Sequence, residues 1–424
     1  MPDGTASAHL YRPKLLTIVE EGYNPSLFQK DLLAGLTVAI VALPLSMAIA
    51  VASGVSPERG LYTSIIGGFL VSALGGSRFQ IGGPAGAFIV LVAATGARLG
   101  LEGLLLTVFL SGLMLTLLGA LRLGSLIRHI PHAVTVGFTS GIAVTILASQ
   151  LKDFGGLHLA GAEPGPLIPK LGALFHALPT LNSSAFAIGA ASAASIFMLR
   201  WWRPTWPAML IAVVIASVIA AVFHLPAETI GSRFGGLPHG VPAPHWPETA
   251  LLLKALPAAL SFTLLGGVES LLSAKVADSM TGRKHRSNME LVAQGIANMA
   301  SALFGGISVT GTIARTATNI RAGAATPLSG MLHSAFLLLF ILVAADLASY
   351  VPLASLAGVL VVVCWNMAEK AEFLRLLKVW REAAVLLVTF VLTLVEDLTT
   401  GIIAGCILAA IFAASRGAVR EEGA

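Results

Sequence analysis

Arg315 ends the run Gly305-Gly306-Ile307-Ser308-Val309-Thr310-Gly311-Thr312-Ile313-Ala314-Arg315, which is set between long apolar segments. A charge at the bilayer centre costs about 2.5–3.5 kcal/mol on insertion scales, so a residue of this kind calls for a partner or a ligand. A short extended stretch, Gly and Thr at the turn, and then a helix with a cation one turn in suit the binding of an anion. Thr312, Thr316 and Asn319 fall on a neighbouring face of that helix and add polar groups. A structural salt bridge is the alternative role for Arg315.

A second element of the same kind reads Phe79-Gln80-Ile81-Gly82-Gly83-Pro84-Ala85-Gly86-Ala87-Phe88. Phe79 to Ile81 reads as extended, Gly83 as a cap, and Pro84 as the first helical position. Non-helical backbone at membrane depth is tolerated only where protein buries it or where it lines a cavity. Two such helix N-termini facing each other would aim free N–H groups and positive dipole ends at one anion. Two ordinary kinked helices are the plainer reading. The natural partner of Arg315 is Glu269, the lone charge in Leu264-Leu265-Gly266-Gly267-Val268-Glu269-Ser270-Leu271-Leu272-Ser273, with Ser273 at i+4 on its face. Burial and a nearby Arg act on the protonation of Glu269 in opposite directions, so a proton relay, a cation site and a purely structural ion pair all stay open.

The elements that must position these residues are membrane spans. Apolar residues make up 56% of the chain and charged residues 11%, where soluble domains carry roughly a quarter charged. Runs of about 20 apolar residues, enough to cross the hydrocarbon layer, recur from Leu32 to Ala414. Hydropathy and breakers place helices near 32–53, 59–75, 84–96, 102–121, 131–150, 170–199, 207–223, 251–276, 289–304, 311–323, 327–346, 353–367, 382–396 and 400–415. The fold class is thus an all-α polytopic membrane protein of about 14 transmembrane segments. Most Lys and Arg fall in loops that are cytoplasmic if the N-terminus is, which puts both termini inside a plasma (inner) membrane.

Residues 1–31 are polar and precede a full-length span, so they read as a cytoplasmic segment and not as a signal peptide. Residues 32–223 and 251–415 form two seven-span repeats joined by an outer linker, 224–250. An odd number of spans makes the second repeat inverted, and paired short Gly/Pro-interrupted segments in the two halves point to a transporter's binding site. Trp201-Trp202-Arg203-Pro204-Thr205-Trp206 reads as an interfacial belt. Gly137 with Gly141, and Gly401 with Gly405, read as close helix contacts. Pro44 either opens the first span toward the pocket or is an inert kink. Cys364 and Cys406 lie in apolar segments and form no disulfide or metal framework. His129 and His132 flank Pro131 and do not suggest a metal site. No catalytic or nucleotide-hydrolysing motif stands out, and nothing calls for a cofactor or a nucleic-acid partner.

In combination, several motifs resemble those of the sulfate permease (SulP) family, relatives of prestin and pendrin. They are Ala34-Gly35-Leu36-Thr37-Val38-Ala39-Ile40-Val41-Ala42-Leu43-Pro44 followed by Gly60-Leu61-Tyr62-Thr63-Ser64, then Ile81-Gly82-Gly83-Pro84, and Glu269-Ser270-Leu271-Leu272 leading to Ala277-Asp278. Gln294-Gly295-Ile296-Ala297-Asn298 running on to Arg315, and Val395-Glu396-Asp397-Leu398-Thr399, complete the set. The resemblance covers nearly the whole chain. It implies an inverted seven-plus-seven repeat divided into core and gate domains, with the anion held between two facing half-helices. The matching positions are Gly83, Pro84, Ala85, Gly86 and Ala87 on one side and Thr310, Gly311, Thr312, Ile313, Ala314 and Arg315 on the other, with first-helix contacts at Leu45 and Ser46. Glu269, with Ser273, matches the acidic position used for proton or sodium coupling.

The function implied is secondary active transport of small anions such as sulfate, bicarbonate or dicarboxylates, by proton-coupled symport with the core moving against the gate. A passive channel or exchanger, or a nucleobase permease of the same fold, is the alternative. Family members usually continue into a cytoplasmic STAS domain, whereas this sequence stops at Ala424. The expectation is a membrane domain without it, 416–424 being a cytoplasmic stub, and a homodimer is an open possibility.

Overall fold

The computed structural model describes residues 11–124, 131–161, 163–164, 167–204, 206–396 and 398–421. His129 and residues 422–424 lie outside that set. Among the described residues, six helices are long and apolar enough to cross a membrane, and shorter apolar helices accompany them.

The chain opens with a short helix, α1 (Lys14–Glu21), whose first N–H donates to the carbonyl of Gly75 (2.9 Å). Arg78 pairs with Glu21, and the guanidinium holds that carboxyl below the usual carboxylate range. Helix α2 (Pro25–Ala52) starts from an Asn24 side-chain cap with Pro25 in its first turn, and runs on through Pro44. Next come α3 (Pro57–Tyr62), a π-helical stretch (Thr63–Gly67) and α4 (Gly68–Leu74). A two-residue strand, β1 (Gly82–Gly83), leads through a 3-10 turn (Gly86–Phe88) into α5 (Ile89–Ala120). Gly100, at φ 70°, breaks α5 into a short first part and a returning second part, a left-handed backbone that glycine adopts without a Cβ penalty.

Helix α6 (His132–Gly155) is followed by α7 (Leu167–Ala177), α8 (Ser183–Trp202) and α9 (Ala208–Val222). The span expected over 170–199 is therefore two helices. Pro179 sits in the 3-10 turn between them, and the Asn182 side chain caps the second. After the short α10 (Ile230–Phe234) come α11 (Leu252–Thr281) and α12 (Ser287–Leu303), then β2 (Thr310–Gly311) and α13 (Ile313–Arg321). The chain ends with α14 (Leu328–Val343), α15 (Ala345–Ala348), α16 (Leu353–Met367), α17 (Lys370–Leu376), α18 (Trp380–Val395) and α19 (Leu398–Glu421).

Two groups of helices pack within themselves. One joins α2 to α5 with α11 to α14, and the other joins α6 and α8 with α16, α18 and α19; α16 and α9 of the second side rest on α2 of the first. Small residues allow the closest approaches. A Cβ on Gly137 would lie 2.6 Å from the Leu386 carbonyl, and one on Gly405 2.0 Å from the Thr389 hydroxyl, so both small-residue patterns seat their helices on α18. Outward positions stay apolar, as on α9, where Val214, Val218 and Val222 are exposed at helical spacing, which suits a lipid surround. Trp201, Trp202 and Trp206 are also exposed, as an interfacial belt requires.

Candidate functional site

The two short elements meet backbone to backbone. β1 and β2 pair antiparallel, Gly82 opposite Gly311 and Gly83 opposite Thr310. The N–H of Thr312 extends the ladder to the carbonyl of Ile81 (3.0 Å). Side chains of α13 satisfy the rest of the first strand. Thr316 Oγ1 accepts from the N–H of Ile81 (3.1 Å), and Asn319 Nδ2 donates to the carbonyl of Phe79 (2.9 Å). The polar face of Thr312, Thr316 and Asn319 thus closes the backbone of a strand buried at membrane depth, where any unpaired group is costly.

From this crossing the two short helices diverge. The first begins later than Pro84 alone suggested: Ala85 is an extended N-cap and the turn starts at Gly86. Pairing with β2 keeps the chain extended through Gly83, and Pro84, with no N–H to place, continues it at no cost in hydrogen bonds. The second begins at Ile313 from an extended Thr312. Neither N-cap residue uses its side chain to cap the helix, so the leading N–H groups of each first turn have no capping side chain, although the Phe88 N–H already returns to the Ala85 carbonyl (3.1 Å). Ile313 and Ala314 are exposed and Gly86 is half-buried, whereas Leu45, Ser46, Gly83, Pro84, Ala85, Ala87, Thr310, Gly311 and Thr312 are buried. The crossing is enclosed, but the first turn of α13 is open.

Arg315 is the largest fully buried side chain among the described residues. Its guanidinium donates to Ser64 Oγ and Ser46 Oγ, both at 3.1 Å, and lies 3.5 Å from the carbonyl of Pro84. The two serine hydroxyls are themselves 2.9 Å apart. Arg315 therefore ties together α2, the π-helical stretch and the approach to the first short helix. The expected pairing with Glu269 is not formed. Helix α11 instead turns Ser270 and Ser273 toward the crossing: Ser270 Oγ meets Thr310 Oγ1 at 2.7 Å and Ser273 donates to Thr316 at 3.3 Å. Glu269, one residue round the helix, is half-buried and makes no ion pair or hydrogen bond among the described residues. His132 is taken up by Glu372 at 2.7 Å, and no group of residues suited to a metal ion occurs among the described residues.

Gly83 is required by contact. A Cβ there would lie 2.2 Å from Arg315 Nη1 and 3.1 Å from Ser64 Oγ. We expect Gly83→Ala to push the guanidinium off its serines and weaken anion uptake about tenfold, the equivalent of about 1.4 kcal/mol. Wild-type uptake by a folded Gly83→Ala protein would show that the position of the guanidinium does not matter.

Several contributors escape a reading of the sequence alone. Ser64 stands inside a recognised motif, but only the π-helical turn, a feature common at functional sites, aims it at Arg315. Asn298 grips the backbone of Val309 from both sides, donating to its carbonyl (2.7 Å) and accepting from its N–H (3.0 Å). Gln80 and Glu290 lie behind the strands, and no periodicity marks them.

A polytopic helical protein with two half-helices crossing inside it has the architecture of a membrane carrier. A profile of the sulfate permease family matches residues 28–393. YvdB of Bacillus subtilis (strain 168), named as a candidate sulfate transporter, is 46% identical over 396 residues, 92% of this chain and 74% of that protein. The bicarbonate transporter BicA of Picosynechococcus sp. is 34% identical over 364 residues, and the match spans 81% of this chain but only 63% of BicA. The solved transmembrane domain of a cyanobacterial BicA superposes with a TM-score of 0.81 at 32% identity, covering 90% of this chain and 98% of that one. The chain belongs to the sulfate permease family, a family of transporters and not of enzymes.

Proposed function

We propose that this protein is a secondary active transporter of a small anion of the sulfate, bicarbonate or dicarboxylate class, driven by a co-transported proton. The observation that carries this reading is Arg315: a buried guanidinium held by two hydroxyls, with no carboxylate partner among the described residues, at the crossing of two short helices. A cation so placed keeps charge to spare for an anionic ligand, which a neutral nucleobase has less use for. The substrate sits between the first turn after Ala85 and the first turn of α13, near Leu45 and Ser46. The names of the relatives, sulfate and bicarbonate transporters, support the anion class.

Glu269 supplies the coupling site. A half-buried carboxylate without a partner among the described residues invites a proton or a sodium ion to balance its charge. The helices divide into two repeats, 32–223 and 251–415, with 224–250 outside and both termini cytoplasmic. The group that carries the crossing moves as a core against the gate formed by the other helices. The protein resides in the plasma membrane, and assembly as a homodimer is compatible with this motion.

The test is radiolabelled uptake into proteoliposomes, comparing sulfate, bicarbonate and C4-dicarboxylates with and without an inward proton gradient. Gradient-driven accumulation of one anion is the expected result. Uptake that only equilibrates, whatever the gradient, would favour a channel or exchanger and leave Glu269 a structural residue.

A further inference from the structure

Glu290, in the first turn of α12, is fully buried. One carboxylate oxygen accepts from the backbone N–H of Gly76 (2.8 Å) and of Ser77 (3.0 Å). The other accepts from Gln80 Nε2 (2.9 Å) and Gln294 Nε2 (3.2 Å). Every group it meets is a donor, so the surroundings match an unprotonated carboxylate with both oxygens engaged. Charge-assisted bonds of this kind are about twice as strong as neutral ones.

Gln80 carries the contact onward. Its Nε2 also donates to the Ser270 carbonyl (3.2 Å), and its side chain lies so close to Gly311 that a Cβ there would fall 1.8 Å from Nε2. Glu290 thus touches the loop entering β1 and, through Gln80, the residue that pairs with β1 from β2. Neither oxygen of Glu290 bonds to the Arg315 guanidinium, the serines that hold it or the first turn of α13.

We propose that Glu290 is a positioning residue for the anion site: by gripping Gly76, Ser77 and Gln80 it sets the register at which β1 and β2 cross, and with it the seat of Arg315 against Gly83. The inference rests on the anion-site reading above.

The chemistry of Glu290→Gln tests it selectively. The amide oxygen can keep both backbone N–H groups, while the new NH2 faces the two glutamines. The Oε1 atoms of Gln80 and of Gln294 are buried without partners. Gln294 can turn its amide over and accept. Gln80 cannot, because turning would set its oxygen against the Ser270 carbonyl. The damage therefore falls on Gln80 and the crossing, and not on α12 as a whole.

In proteoliposomes, with whichever of radiolabelled sulfate or bicarbonate the wild type takes up, Glu290→Gln is expected to raise KM about tenfold with kcat within about threefold. Gln80→Ala should do the same, and the double variant should be no worse than the single ones, because both act through one path. A role confined to stability would lower the melting temperature and the yield but leave KM alone. Wild-type KM in either folded variant overturns the proposal, and if Glu290→Gln does not fold, Gln80→Ala decides. An Arg315→Ala protein that transports normally would remove the anion site itself. Loss of uptake in that variant beside a wild-type KM in Gln80→Ala would remove only the positioning role.

Discussion

Arg315→Ala is expected to abolish anion binding and uptake while the protein stays folded. Truncating one side of a buried charge contact costs about 2–5 kcal/mol in binding, or roughly 30- to 4,000-fold in affinity. The fold should survive because the guanidinium satisfies no buried carboxylate among the described residues. Its bonds run to two hydroxyls that also meet each other, and its Nε is buried without a partner. Arg315→Lys should rescue little, since a compact, strongly hydrated ammonium lacks the planar, five-donor fork that can hold the serines and an anion together. Purified variants compared by substrate-induced thermal shift and by uptake provide the measurement. Normal uptake by well-folded Arg315→Ala protein would dispose of the anion site.

Glu269→Gln should abolish gradient-driven accumulation while exchange of internal for external anion continues. The amide has nearly the same shape but can neither take up a proton at working pH nor balance a cation. The structure sharpens this expectation, because Glu269 forms no ion pair with Arg315, so its loss leaves no buried cation stranded. Counterflow and accumulation, measured on one preparation with and without a proton gradient and then with a sodium gradient, separate the two activities. Unchanged accumulation in the variant would take Glu269 out of the mechanism.

What could be read from the sequence followed from how local each signal is. The two short elements announced themselves through Gly, Pro and a lone charge, and the spans through apolar length. Helical periodicity put Thr312, Thr316 and Asn319 on one face correctly, but it does not say what that face meets, and the answer was the backbone of a strand. For the same reason Glu269 looked like the partner of Arg315. Opposite charges are the natural guess, yet the guanidinium meets Ser46 on α2 and Ser64 in the π-helical stretch, ordinary residues whose meaning comes from where those elements place them. The break between α7 and α8 falls inside what reads as one long apolar span, although Pro179 and the capping Asn182 mark it. Glu290 escapes such a reading because two of its four partners are backbone N–H groups, which leave no trace in residue types, and the other two are glutamines whose contact with it no motif announces.

The crossing of β1 and β2 also has a consequence for biogenesis. Thr312 and Ile81, joined by a hydrogen bond, are 231 residues apart, and each strand is only two residues long. Among the described residues each strand pairs only with the other, so the extended backbone of the first half-helix lacks its partner until the chain has been made as far as β2. The crossing is thus among the last parts of the molecule to form, and until then the nascent first half calls for whatever in the membrane shields polar backbone from lipid.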